Sequence, residues 1–284
     1  MLVRVRDLAG RPRGVGFVAD HRGTVITSHE VVDGLPRLLL HAAEDRHCVV
    51  TADAVTALPE LNLALVRTEG LGVDPLPVGG RDGVETGAYV RIAAGCWREA
   101  RVLGTGSVTY TATDRFHLLD GVLELAIGTA GQDALRLGGG AAGGPVVDAA
   151  TGAVVAVLGT ALQSGRRETG FAVPLFPPPD GPLADLLAEN AATVPAYGTD
   201  LNLAGVLELT ATSVGPGRAA GAPWRDTWAG PPTPSVPGAV EPVQRAATAA
   251  EFEAFVEGDA AVLALVGPPG SGRTTELASL AAPR

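Results

Sequence analysis

Three short stretches of this sequence carry residue types that could do chemistry: two glycine-rich loops and one histidine beside an acid. The run Gly267-Pro268-Pro269-Gly270-Ser271-Gly272-Arg273-Thr274 has the Walker A form, with Arg273 in the usual lysine place. Glycines at Gly267, Gly270 and Gly272 let backbone N–H groups wrap phosphates, and Thr274 would reach Mg²⁺. The other loop, Gly138-Gly139-Gly140-Ala141-Ala142-Gly143-Gly144, leads through Pro145 into a strand. Phosphate loops lead into a helix N-terminus, so this one is not read as such. His29 could serve as a general base, and Glu30 could accept a proton but has no nucleophile to activate. Two plainer readings stand beside that one: a surface or half-buried histidine next to an acid, and a solvated or cap-like acid at a short turn.

Other chemistries are excluded by composition. All 21 basic residues are Arg, so no lysine base or Schiff base is available. In a chain so rich in Ala, Gly, Pro and Arg, an Arg at a lysine position reads as drift. Cys48 and Cys96 are two reduced thiols, not a disulfide framework, and neither has a partner at metal-ligand spacing. No metal site is expected. A net charge of −10 argues against nucleic acid as a partner. No stretch is long and apolar enough for a membrane span, and the first residues enter a strand pattern without a signal-peptide segment, so a cytoplasmic location is expected.

The elements that must position these residues change character along the chain. Over residues 1–176, apolar or alternating runs at 2–6, 14–20, 24–27, 48–57, 63–68, 89–94, 101–111, 122–127, 145–147, 153–160 and 170–174 are separated by Gly, Asp and Pro. Such spacing, with hardly a helical period, predicts an all-β sandwich or pair of barrels. A Pro-rich turn precedes an amphipathic helix over 182–192, so 177–192 reads as a C-terminal helix of that domain. Residues 193–244 read as a linker, although 202–212 fits either a strand or a short helix, and 215–242 is Pro/Gly-rich. Residues 245–284 are helical at 249–257 and then carry a continuous apolar run, 260–266, typical of a buried parallel strand.

Three motifs in the first region resemble those of trypsin-like serine proteases, in particular the bacterial branch without disulfides. Thr27-Ser28-His29-Glu30-Val31-Val32 resembles the family's Thr-Asn-Ala-His-Val-Val, with Glu30 in the catalytic histidine's place. Leu61-Asn62-Leu63-Ala64-Leu65-Val66 resembles its Asp-Leu-Ala-Leu-Leu strand, with Asn62 in the aspartate's place. Gly140-Ala141-Ala142-Gly143-Gly144-Pro145-Val146 resembles Gly-Asp-Ser-Gly-Gly-Pro-Val, with Ala142 in place of the nucleophile. Gly170-Phe171-Ala172-Val173-Pro174 resembles the closing strand of the second barrel.

The resemblance implies two six-stranded antiparallel β-barrels whose catalytic triad is degenerate. Acyl transfer needs a nucleophile, an imidazole to take its proton and an acid to fix the tautomer, and Glu30, Asn62 and Ala142 supply none of these roles. Backbone N–H groups of Gly140 and Ala142 could still form an oxyanion hole. The function implied is a catalytically inactive homologue that binds a peptide or protein, as a sensor or regulatory module without a cofactor of its own. Two other readings are carried: a serine endopeptidase with a rearranged site, using Ser28 or Ser107, and a truncated, non-functional gene product.

The terminal P-loop motif resembles the start of a NACHT- or STAND-type NTPase. Its single strand, loop and partial helix form an incomplete α/β unit that cannot bury its own apolar strand. Residues 245–284 are therefore expected to be the first part of a downstream NTPase domain in a longer protein. ATP and Mg²⁺ are expected only where that domain is complete.

Overall fold

The computed structural model describes residues 2–42, 46–69, 71–79, 83–94, 96–128, 140–162, 170–176, 180–213, 246–258, 263, 265 and 266. They fall into two compact units, Met1–Ala204 and Gly205–Arg284.

The first unit contains two antiparallel sheets. Seven strands build the first: β1 (Val3–Arg6), β2 (Pro12–Val18), β3 (Val25–Ser28), β4 (Arg37–His41), β5 (His47–Thr51), β6 (Val55–Leu58) and β7 (Leu63–Val66). Their order is β5-β4-β1-β2-β3-β7-β6. In β1, Val3 and Val5 point inward while Arg4 is exposed, the alternation of a half-buried strand. Central strands β3 and β7 are buried at all four positions.

Six strands close the second sheet into a barrel: β8 (Tyr89–Ala94), β9 (Cys96–Thr111), β10 (Phe116–Ala126), β11 (Pro145–Asp148), β12 (Val154–Gly159) and β13 (Gly170–Pro174). Register shifts between Leu119 and Val122 and between Glu124 and Leu125 let the long β9–β10 ribbon bend around it.

Two six-stranded barrels were the expectation, and only the second is a closed six-stranded ladder. The difference lies in 48–57, expected as one strand. A 3₁₀ turn at Ala52–Ala54 divides this segment into β5 and β6. These are the two edges of the first sheet, so the sheet returns to its own starting segment without completing the ladder.

The largest core cluster joins residues of both sheets, among them Phe17, Ile26, Leu63, Tyr110, Val157 and Phe171. Helix α2 (Pro182–Thr193) seals it with Leu183, Leu186 and Leu187, one apolar stripe at helical spacing. The buried Asn190 of α2 donates to the carbonyls of Ala19 and Leu76 and accepts from the Val78 N–H, which uses its amide on both sides. Buried Asn202 donates to the Val194 carbonyl and accepts from the Ala196 N–H. The ambiguous segment that follows is a helix, α3 (Leu203–Ser213). In the second unit α4 (Ala246–Glu257) matches the expected helix. Most of the expected strand 260–266, together with Gly267, Gly270, Gly272, Arg273 and Thr274, lies outside the described residues. Among the described residues no helix is long and apolar enough to cross a membrane.

Candidate functional site

The site begins where β3 ends. Ser28 is extended, and the chain turns at once into α1 (His29–Val32), a single helical turn. A helical turn leaves its first N–H groups without partners inside it. Here two of them are met by one residue from another segment: the Asn62 carbonyl accepts from the His29 N–H (3.0 Å), and Asn62 Oδ1 accepts from the Glu30 N–H (3.2 Å). Asn62 thus acts as an N-cap supplied from a distance.

Asn62 can do so because of its own backbone. It closes the 3₁₀ turn Pro59–Leu61 in the left-handed region, at φ 46° and ψ 39°. Asparagine tolerates that region better than most residues. Its side chain is fully buried, and Nδ2 has no hydrogen-bond partner among the described residues.

His29 turns toward the barrel, with Nδ1 2.7 Å from the Tyr110 hydroxyl of β9 and the two rings edge to face. Burial lowers its pKa, and the nearby Asp33 carboxylate partly offsets the fall. Asp33 itself accepts from the Thr113 N–H (2.7 Å) and hydroxyl (2.8 Å) across the two halves. His29 is therefore a buried histidine bound to a tyrosine rather than one at the surface.

Glu30 is not simply solvated either. Its Oε1 accepts from the Thr160 N–H (2.7 Å) and hydroxyl (3.4 Å) and from the Ser28 hydroxyl (3.3 Å). Oε2 accepts from the Ala161 N–H (2.5 Å). Burial raises the Glu30 pKa against the pull of these donors. Among the described ion pairs none involves Glu30.

Ala142 sits below this turn. Its carbonyl accepts from the Val15 N–H at 2.8 Å, and its side chain packs in the cluster that includes Val31. The following residue must be glycine: Gly143 has φ +78°, and a Cβ there would collide with Thr27 Oγ1 and the Val15 carbonyl. Gly140 lies at the exposed start of the same loop. Glu30 and Asn62 are thus joined directly, and Ala142 adjoins them through Val31 and β2. Ser28 is buried with its hydroxyl on Glu30, and Ser107 is exposed with its hydroxyl on Asp120 Oδ1.

Thr160, Ala161 and Tyr110 were not singled out from the sequence. The first two contribute backbone N–H groups that no side-chain motif encodes, and Tyr110 stands 81 residues from its partner His29. Among the described residues no group of three or more His, Cys, Asp or Glu could hold a metal ion.

A family profile described as a trypsin-like peptidase domain matches residues 14–157. No curated protein matches the chain. Among solved structures, the active form of the Rv3671c protease from M. tuberculosis is similar at 22% identity and a TM-score of 0.48. That match covers 69% of this chain and 82% of the other. An HtrA-type protease, AlgW, with a tripeptide is similar at 16% identity and a TM-score of 0.46, over 61% of this chain. The chain spans 56% of the length of that AlgW protein.

Proposed function

The chain belongs to the trypsin-like peptidase domain family, and we propose that it uses this fold to bind an extended peptide or protein segment without cutting it. One observation carries the reading: the glycine-rich loop holds the buried Ala142, which has no attacking atom, while the Glu30 carboxylate is engaged with backbone N–H groups. Ser28 is buried with its hydroxyl on Glu30, which disfavours a rearranged protease. In this reading Glu30, Asn62 and Ala142 stand at the three triad positions. Without nucleophile and imidazole, only the background of an oxyanion hole remains. Backbone N–H groups of Gly140 and Ala142 then serve to hold a ligand carbonyl.

The domain acts as a cytoplasmic sensor or regulatory module ahead of a P-loop NTPase, whose first loop is Gly267, Gly270, Gly272, Arg273 and Thr274. The order of the motifs in the sequence supports that arrangement. Nucleotide and Mg²⁺ belong to the completed NTPase, not to the protease-like fold.

Fluorophosphonate labelling tests the reading on the wild-type chain, on Ala142→Ser, and on the triple variant Glu30→His/Asn62→Asp/Ala142→Ser. The wild type is expected to stay unlabelled and the triple variant to label. Labelling of the wild type would mean that an unrecognised nucleophile is at work, and the non-catalytic reading would fall.

A further inference from the structure

The contacts of Glu30 have the form of a ligand in a binding site. Strand β12 is paired with β11 up to Val157 and with β13 up to Gly159, which lies opposite Phe171. Immediately beyond, the Thr160 and Ala161 N–H groups leave the ladder and converge on a single carboxylate from a segment 130 residues earlier. The hydroxyls of Ser28 and Thr160 complete a set of four donors. A fifth lies close by: the buried, unpartnered Asn62 Nδ2 is 3.1 Å from the position a Cβ of Gly159 would take. Thr160 is exposed, so the place opens to solvent.

We propose that these donors form a carboxylate-binding cradle that Glu30 occupies as an internal ligand, and that the peptide bound by this domain displaces Glu30 with a carboxylate of its own. This rests on the peptide-binding reading above and names the chemistry of the peptide.

Three physical points support exchange. The donors to the Glu30 carboxylate are neutral, the Arg13 guanidinium reaching only the Glu30 backbone carbonyl at 3.5 Å, and a carboxylate without an ion pair gives up much of its hydration to be there. Release of Glu30 to water recovers that hydration, while the incoming carboxylate takes over the same hydrogen bonds. The exchange is thus nearly balanced at the cradle. A tethered group also competes at an effective concentration on the order of millimolar. A small carboxylate alone therefore does not displace Glu30, whereas a peptide with further contacts on the domain does. Its carboxylate can be the C-terminus or an acidic side chain.

Thermal unfolding of the full chain in formate, with chloride at equal ionic strength as control, tests the cradle. The melting temperature of Glu30→Ala is expected to rise with formate and not with chloride. The wild type should respond to neither, and Thr160→Pro added to Glu30→Ala should abolish the response. If Glu30→Ala does not fold alone, its refolding in formate becomes the readout. Recovery in formate but not chloride sustains the proposal. Equal behaviour in both salts, or no folding in either, marks Glu30 as a fixed structural group and overturns it.

A second arm compares N-acetyl-Ala-Ala with its C-terminal amide, and with an amidated peptide bearing an internal Asp, on Glu30→Ala. Free-acid binding tighter by roughly tenfold assigns the cradle to C-termini, and tighter binding of the Asp peptide assigns it to acidic side chains. Indifference among the three overturns the peptide carboxylate as ligand. None of these readouts involves a nucleophile, so they fail or succeed independently of the labelling assay.

Discussion

The two halves of the first unit satisfy their buried polar groups in opposite ways. Up to residue 174, the buried polar or charged side chains among the described residues are Asp7, Asp20, Thr27, Ser28, His29, Asn62 and Thr68, and every one belongs to the seven-stranded half. The barrel's fully buried residues are apolar except for the Tyr110 hydroxyl, which is spent on His29, and the partly buried His117 adds one shielded ring nitrogen, Nε2. A closed ladder pairs its backbone with itself, so its interior can be built from Val, Leu and Ala alone. An unclosed sheet leaves turns and bends whose backbone groups need partners. Asp20 receives the N–H groups of Arg22 and Thr24 and the Thr24 hydroxyl, Thr27 donates to the Val15 carbonyl, and Thr68 donates to the Gly23 carbonyl. The half that needs these side chains is also the half that carries Glu30 and Asn62.

The sharpest way to break this contrast is to exchange the kinds of damage. In the barrel, Leu158→Ala empties a fully buried site and should cost about 3 kcal/mol in urea unfolding, the range for such cavities. In the sheet, Asp20→Ala should cost roughly 2 kcal/mol, since two backbone N–H groups lose their acceptor. If Asp20→Ala were silent, the claim that the open sheet depends on buried polar side chains would fail. Tyr110→Phe tests the barrel's exception. It should cost about 1 kcal/mol, and the chemical-shift changes should concentrate at His29 rather than in barrel residues.

The smallest effects expected are on pH dependence, and they carry opposite signs at adjacent residues. The folded pKa of Glu30 lies above its ordinary 4.5, so its contribution to stability is complete below that pH and is lost as pH rises through the folded value. The folded pKa of His29 lies below 6.5, so its contribution is complete above that pH and is lost as pH falls through the folded value. Chemical denaturation across this range should show Glu30→Gln removing the decline on the alkaline side of pH 4.5. His29→Gln should remove the decline on the acid side of pH 6.5. A wild-type profile unchanged by both substitutions would mean that neither group is coupled to folding.

How far the fold could be read ahead depended on whether burial and residue type alternate together. Strands β8 and β13 fall on the expected 89–94 and 170–174 because their inward positions are apolar and turn residues bound them. Strand β4 was missed. Its burial alternates, with Leu38 and Leu40 inside, but Leu39 between them hides the period. The first five residues of β9 were missed for the opposite reason: Trp97 is an outward aromatic and Arg98 and Glu99 carry charge, so little apolar signal remains. At the site, Glu30, Asn62 and Ala142 stood out because side-chain types departed from a known pattern. What Glu30 and Asn62 hold could not be seen, because their main partners are backbone groups.

Asn190 sets an order of events during synthesis. Its amide reaches back 171 residues to Ala19, 114 to Leu76 and 112 to Val78. These groups all precede the barrel strands in the chain, and their partner arrives only after every one of those strands has been made. Until then two carbonyls and an N–H outside the strands must be satisfied by water. The segments that flank the first sheet are therefore made early and satisfied last.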